Sequence, residues 1–102
     1  MIEGFRGGFN SELALFYFDN QRGKIPSSIV GPLRRKLSII EAAETEASLR
    51  IPPGNRFEHL RGQLKDFVSI RVNDQWRLLF HWRNGIAYDI YLDKHTYRST
   101  GQ

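Results

Sequence analysis

From Val68 to Leu92 the apolar residues fall on even numbers: Val68, Ile70 and Val72, then Trp76, Leu78, Phe80 and Trp82, then Ile86, Tyr88, Ile90 and Leu92. The odd positions carry Ser69, Arg71, Asn73, Gln75, Arg77, His81, Asp89, Tyr91 and Asp93, with Leu79 and Ala87 as apolar exceptions. A period of two over this length predicts strands with one buried face and one polar face. The parity is unbroken across Arg83-Asn84-Gly85. A three-residue loop with Gly85 in the left-handed position keeps it, whereas a two-residue Asn-Gly turn would break it. That register sets Trp82 against Ile86, Arg77 against Tyr91 and Gln75 against Asp93. The turn at Asn73-Asp74-Gln75 sets Arg71 against Arg77. Like charges directly opposed on a sheet are destabilising unless neutralised, and a bound anion such as phosphate would neutralise them.

The N-terminal half has the helical period instead. Met1 to Gly8, with Ile2 and Phe5, reads as a short first strand weakened by its glycines. Ser11 is placed as the cap of a helix running to about Asp19. A second helix is predicted over roughly 28–47, with Ile29, Leu33, Leu37, Ile40 and Ala43 on one stripe and Arg34-Arg35-Lys36 on the solvated side. Pro53-Gly54 suits the centre of a type II turn, followed by a short strand at Phe57–Leu60 and a loop from Arg61 to Asp66. Strand, helix, helix and then three or four strands make an α+β layer pair. An antiparallel-rich sheet of about four strands has two helices on one face, and its odd-numbered face is left bare.

Composition narrows this picture. A chain of 102 residues, 40% apolar with thirteen Phe, Tyr and Trp, is expected to form one globular domain, with 96–102 as a loose tail. There is no cysteine, which excludes disulfides and thiolate metal ligands. No basic region followed by a long apolar core opens the chain, so a cytoplasmic protein away from membranes is expected. Residues 1–49 hold six basic and six acidic side chains, whereas 50–102 hold nine and five, so the whole excess of +4 lies in the strand half. A basic sheet face with interleaved aromatics suits a nucleic acid, and a solvated basic surface is the plain alternative.

No cofactor or metal is expected. His59, His81 and His95 are too scattered for a ligand motif, and neither a phosphate-cradling glycine loop nor a nucleophile elbow is present. What remains is acid–base chemistry helped by arginines. RNA cleavage needs that inventory, because RNA supplies its own nucleophile: a base for the 2′-hydroxyl, cations for the phosphorane charge and an acid for the leaving oxygen. By themselves these residues point to nucleic-acid binding before nuclease activity.

Pro52-Pro-Gly-Asn-Arg-Phe-Glu-His-Leu-Arg-Gly62, Ser69-Ile-Arg-Val-Asn-Asp-Gln-Trp-Arg77 with Phe80, Ala87-Tyr88 and a closing Asp93-Lys94-His95 closely resemble the HigB-type toxins of the RelE/ParE superfamily. The resemblance runs from Ile2 to His95. It implies a compact sheet with two helices on one face. It also implies a toxin of a type II toxin–antitoxin system that cuts mRNA on the ribosome, in the decoding site, and is neutralised by a HigA-type helix-turn-helix antitoxin.

Carried over by position, the resemblance implies that Arg77 contacts the scissile phosphate, with Arg61 before Gly62 and Gln75 two residues before Arg77 beside it. Glu58, His59 or His95 would move the protons, and Arg56, Lys65, Arg71, Tyr91 and Lys94 would bind the RNA. Two positions depart from the pattern: Glu58 stands where relatives often have histidine, and Lys94 where many have tyrosine. These departures motivate the alternative, a ParE-like or catalytically impaired toxin acting through a topoisomerase or its antitoxin alone.

Overall fold

The structure is a computed structural model that describes residues 1–95; the tail expected over 96–102 lies outside them. The Ser11 hydroxyl accepts from the Ala14 amide at 3.2 Å, so α1 (Glu12–Asp19) begins at the expected cap. It ends at Asn20 in the left-handed conformation, having buried Leu13, Ala14 and Phe16. After a 3₁₀ turn at Ser27–Ile29, α2 (Val30–Ala42) carries Pro32 in its first turn, where a missing amide breaks no helical bond. Leu33, Leu37 and Ile40 are buried, with Ile29 and Ala43 at either end of the same stripe.

The helix expected to reach residue 47 stops at Ala42. Ala43 is extended (φ −70°, ψ 134°), and a separate turn, α3 (Glu46–Leu49), starts at Thr45, whose hydroxyl accepts from the Ser48 amide at 3.4 Å. Packing explains the break. At 100° per residue a continuous helix would carry Leu49 to the face opposite Leu33, Leu37 and Ile40. The break lets Leu49 bury completely.

Lys36 departs from the solvated role expected of the Arg34-Arg35-Lys36 run. Its ammonium lies 2.5 Å from the side-chain oxygen of Asn55, and burial, aided by Arg35 and Arg71, lowers its pKa. Arg34 lies over the Phe16 ring and reaches Asn20. Asn55 is fully buried and donates to the carbonyls of Leu49 and Ile51 at 3.0 and 3.1 Å. These bonds draw the link between the two halves into a 3₁₀ turn at Pro53–Asn55 instead of the expected type II turn. The left-handed residue is Arg56 (φ 46°), not Gly54.

The sheet is antiparallel throughout, in the order β1 (Glu58–His59), β2 (Val68–Arg71), β3 (Trp76–Arg83), β4 (Ile86–Lys94). Beside β4, Ile2 and Phe5 make parallel bridges to Ala87 and Ile90, two isolated pairings in place of the expected first strand. Val68, Ile70, Val72, Leu78, Phe80 and Ile90 join the helical stripes in one core, and Trp76, Trp82 and Leu92 pack against it partly buried. The α+β architecture expected from the sequence is therefore present.

The hairpin at Asn84-Gly85 corrects the expected register. Arg83 pairs with Ile86 across a two-residue turn in which Asn84 and Gly85 have φ of 53° and 80°, the positive angles a tight hairpin requires. Parity is restored farther along. Asp89 and Ile90 together face Phe80, and Asp89 takes φ 56°, which makes a β-bulge. Beyond the bulge Arg77 pairs with Asp93, not Tyr91; before it Trp82 pairs with Ala87, not Ile86. Ala87 is therefore the buried residue, and Ile86 and Tyr88 turn to the face away from the helices.

Nor is that face bare. Phe67, Ser69 and Leu79 are buried on it. Across its middle, Arg6 stacks 3.9 Å from the centre of the Tyr91 ring, and Phe67 meets His81 and Tyr91.

Candidate functional site

Pairing across β2, β3 and β4 aligns Arg71, Arg77 and Asp93 in one row of the open face. The neighbouring row is Glu58, Ser69, Leu79 and Tyr91. The expected opposition of Arg71 and Arg77 is thus present, and the chain's own carboxylates neutralise it. Arg77 Nε donates to Asp93 Oδ2 at 2.9 Å, and its Nη1 is 4.0 Å from Glu58 Oε1. Arg71 turns the other way, donating to the Asn73 carbonyl at 3.1 Å and pairing with Asp74. Only 12% of the Arg77 side chain is exposed, so its guanidinium is held in a fixed place with much of its hydration removed. A partly desolvated arginine fork is suited to a bidentate anion such as phosphate.

The β1 alternation separates two neighbours. Glu58 pairs with Ser69 and faces Arg77. His59 pairs with Val68 and points to the other side, where its Nε2 lies 2.9 Å from Glu46 Oε1 and its ring meets Phe57. Arg50 first, and His59 after it, hold the Glu46 carboxyl below its usual range against the opposing effect of burial. Glu58 therefore belongs with Arg77, and His59 does not.

At the end of β4 the His95 amide donates to the Gln75 carbonyl at 2.5 Å, which brings this histidine beside the row that begins at Arg77. Lys94 pairs with Trp76 and lies over its indole, on the helix side of the sheet. Arg61 and Lys65 are exposed on the loop around the 3₁₀ turn at Gly62–Leu64, and Arg56 is exposed beside β1. Tyr91 stands on the open face beneath Arg6. The structure therefore gathers Arg77, Arg71, Glu58, Asp93, Gln75 and His95 at one end of that face, with Arg56, Arg61 and Lys65 in exposed loops. It sets His59 and Lys94 on the opposite side.

The pairing of Arg77 with Asp93, which the sequence allowed for a surface arginine, is present. Sequence reasoning missed two features. Ser69 lies in the floor next to Glu58, its buried hydroxyl without a hydrogen-bond partner among the described residues. Arg6 arrives from the N-terminal segment through a paired contact with Asp89 at 3.2 and 3.0 Å, and no local pattern announces it. Among the described residues no group of three or more His, Cys, Asp or Glu is placed to hold a metal ion. Nor is any helix among them long and apolar enough to cross a membrane.

This arrangement, arginines opposed by carboxylates on a sheet face with helices behind it, accompanies a family match over residues 8–95 to the RelE-like toxin of the type II toxin–antitoxin system HigB. The chain belongs to the HigB-like toxin family. It is 58% identical over 86 residues to Toxin HigB-1 of Vibrio cholerae, covering 83% of this chain and 90% of that protein. It is also 40% identical over 96 residues to an uncharacterised protein of Haemophilus influenzae, covering 93% and 92%. A HigB-like type II toxin implies an antitoxin partner.

Proposed function

We propose that this HigB-like toxin is a ribosome-dependent mRNA endonuclease that cuts the message in the decoding site and is held inactive by a HigA-type helix-turn-helix antitoxin. The observation that carries the reading is the Arg71–Arg77 pair on the open face, with Glu58 4.0 Å from the Arg77 guanidinium and Asp93 at 2.9 Å. An incoming phosphodiester would replace the carboxylates on Arg77 with two phosphate oxygens. The fork would then face the charge that builds on the phosphorane. Glu58, released from Arg77, would take the 2′-hydroxyl proton, and His95 beside Gln75 would protonate the leaving oxygen. Arg56, Arg61, Lys65 and Arg71 would hold the neighbouring backbone, with Tyr91 behind them.

The reaction depends on alignment of the attacking hydroxyl with the scissile bond. The ribosome would supply it by holding the 2′-hydroxyl in line with the scissile bond. Free RNA is accordingly expected to be a poor substrate. The test is a cell-free translation reaction followed by primer extension on the message. Discrete cuts at inhibitory protein concentrations are expected. Intact message under inhibition refutes the reading, and inhibition of a supercoiling reaction in its place would move the toxin to the ParE-like class.

A further inference from the structure

The far end of the open face has a different chemistry. The bulge at Asp89 sets Tyr88 across from His81, and the two rings stack with centres 5.4 Å apart and planes 27° from parallel. Phe67 lies on His81 at 4.1 Å and 32°, so three rings follow one another across the sheet. The imidazole is fixed in this stack: Nδ1 lies 3.0 Å from the Asp66 carbonyl, which can only accept, and Nε2 is 3.7 Å from Asp89. A pocket of about 370 Å³ opens there, lined by Asp66, His81, Trp82, Arg83 and Tyr88. The Arg83 guanidinium is 5.9 Å from the Tyr88 ring, and Arg83 itself is exposed.

We propose that this pocket is a second RNA subsite, which stacks one unpaired nucleobase on Tyr88 while Arg83 meets its phosphate and the Asp66 carboxylate accepts from an exocyclic amino group. The inference rests on the RNA-directed reading of the open face. An aromatic ring beside a cation at a polar pocket is the arrangement that takes an unstacked base without strict sequence demands. Six residues along β3 separate Arg83 from Arg77, roughly 20 Å at the rise of an extended strand. The subsite therefore receives a nucleotide well removed from the cleaved bond, from the message or from ribosomal RNA. The bulge is the positioning device: without it Tyr88 would face the helices.

The test titrates the full-length toxin into a heptaribonucleotide carrying 2-aminopurine at its centre and fluorescein at its end. Anisotropy reads binding, and 2-aminopurine quenching reads stacking. Wild-type protein is expected to bind and quench. Tyr88→Ala should abolish the quenching and weaken binding by roughly 5- to 150-fold. Tyr88→Leu, which keeps bulk without a ring, should behave like alanine, and Tyr88→Phe like wild type. Quenching that survives in folded Tyr88→Ala or Tyr88→Leu, or wild-type binding without quenching or no binding at all, overturns the proposal.

A photo-crosslinker at position 83 on translating ribosomes separates the sources. An adduct with mRNA or with ribosomal RNA supports the subsite and names its occupant, and an adduct with neither contradicts it. Quenching by the wild-type protein that is lost in Tyr88→Ala, with no cleavage by primer extension, would refute the endonuclease reading alone. Cleavage without quenching would refute the subsite alone.

Discussion

On β4 the residues from Ile90 to Lys94 continue the alternation of the rest of the sheet, whereas Ile86 to Tyr88 reverse it. The first stretch belongs to the charged end of the open face, where Asp93 holds Arg77. The second belongs to the aromatic end, where Tyr88 stacks on His81. One extra residue at the bulge separates them. A strand of unbroken period would have given a uniform face, and the bulge instead gives a face with two chemistries about 13 Å apart.

The largest expected effect is at the joint itself. Phe80, fully buried, is the residue opposite the bulge, and Phe80→Ala should destabilise the fold by about 3–5 kcal/mol. Thermal denaturation checks it. A loss under about 1 kcal/mol would mean that the core beneath the bulge is not closely packed.

A smaller effect is expected at Asp89, which adopts φ 56° and pairs with Arg6. Asp89→Val puts a β-branched side chain into the left-handed region and should lose about 1–3 kcal/mol. Asp89→Asn, which tolerates that conformation, should lose less. Equal urea midpoints for the two variants would show that the bulge does not depend on the conformational freedom of this residue.

Two weaker perturbations compare the ion pairs on either side of the sheet. Asp74 is exposed, so Asp74→Ala, which removes one partner of Arg71, should change stability by no more than about 1 kcal/mol. Glu46, on the far side of β1, has a folded pKa below its ordinary value, with Arg50 as first cause and His59 after it. Its contribution is therefore full above the unfolded carboxyl pKa and lost as pH falls through that value toward the folded one. Melting temperatures of wild type and Glu46→Gln should differ slightly near neutral pH and converge in acid, with mRNA cleavage unchanged. A difference that grows on acidification would reverse the sign of this linkage.

Much of this was legible in the sequence. Buried side chains on the even-numbered face announce themselves because water exclusion acts on each one, and Ser11 announces the start of α1 by its own chemistry. The break after α2 was hidden because Ala43 extends the helical stripe, while the competing signals, Thr45 as a cap and Leu49 as a core residue, act beyond it. The bulge was hidden for a related reason. Ile86 and Tyr88 are apolar enough to pass for core, and small Ala87, which is core, passes for surface. For the candidate site, Arg71 opposite Arg77 followed from turn geometry, whereas the split between Glu58 and His59 needed the register of β1, a strand too short to show any period.

The central claim is that the charged end of the open face, through Arg77, cleaves RNA. The direct measurement is primer extension on messages from cell-free translation with wild type and Arg77→Ala side by side, with a melting curve for each. Cleavage should fall about 100- to 1,000-fold in Arg77→Ala, equivalent to about 2.7–4 kcal/mol of transition-state stabilisation, while the variant stays folded. A folded Arg77→Ala protein that cuts the message at the wild-type rate would contradict the claim.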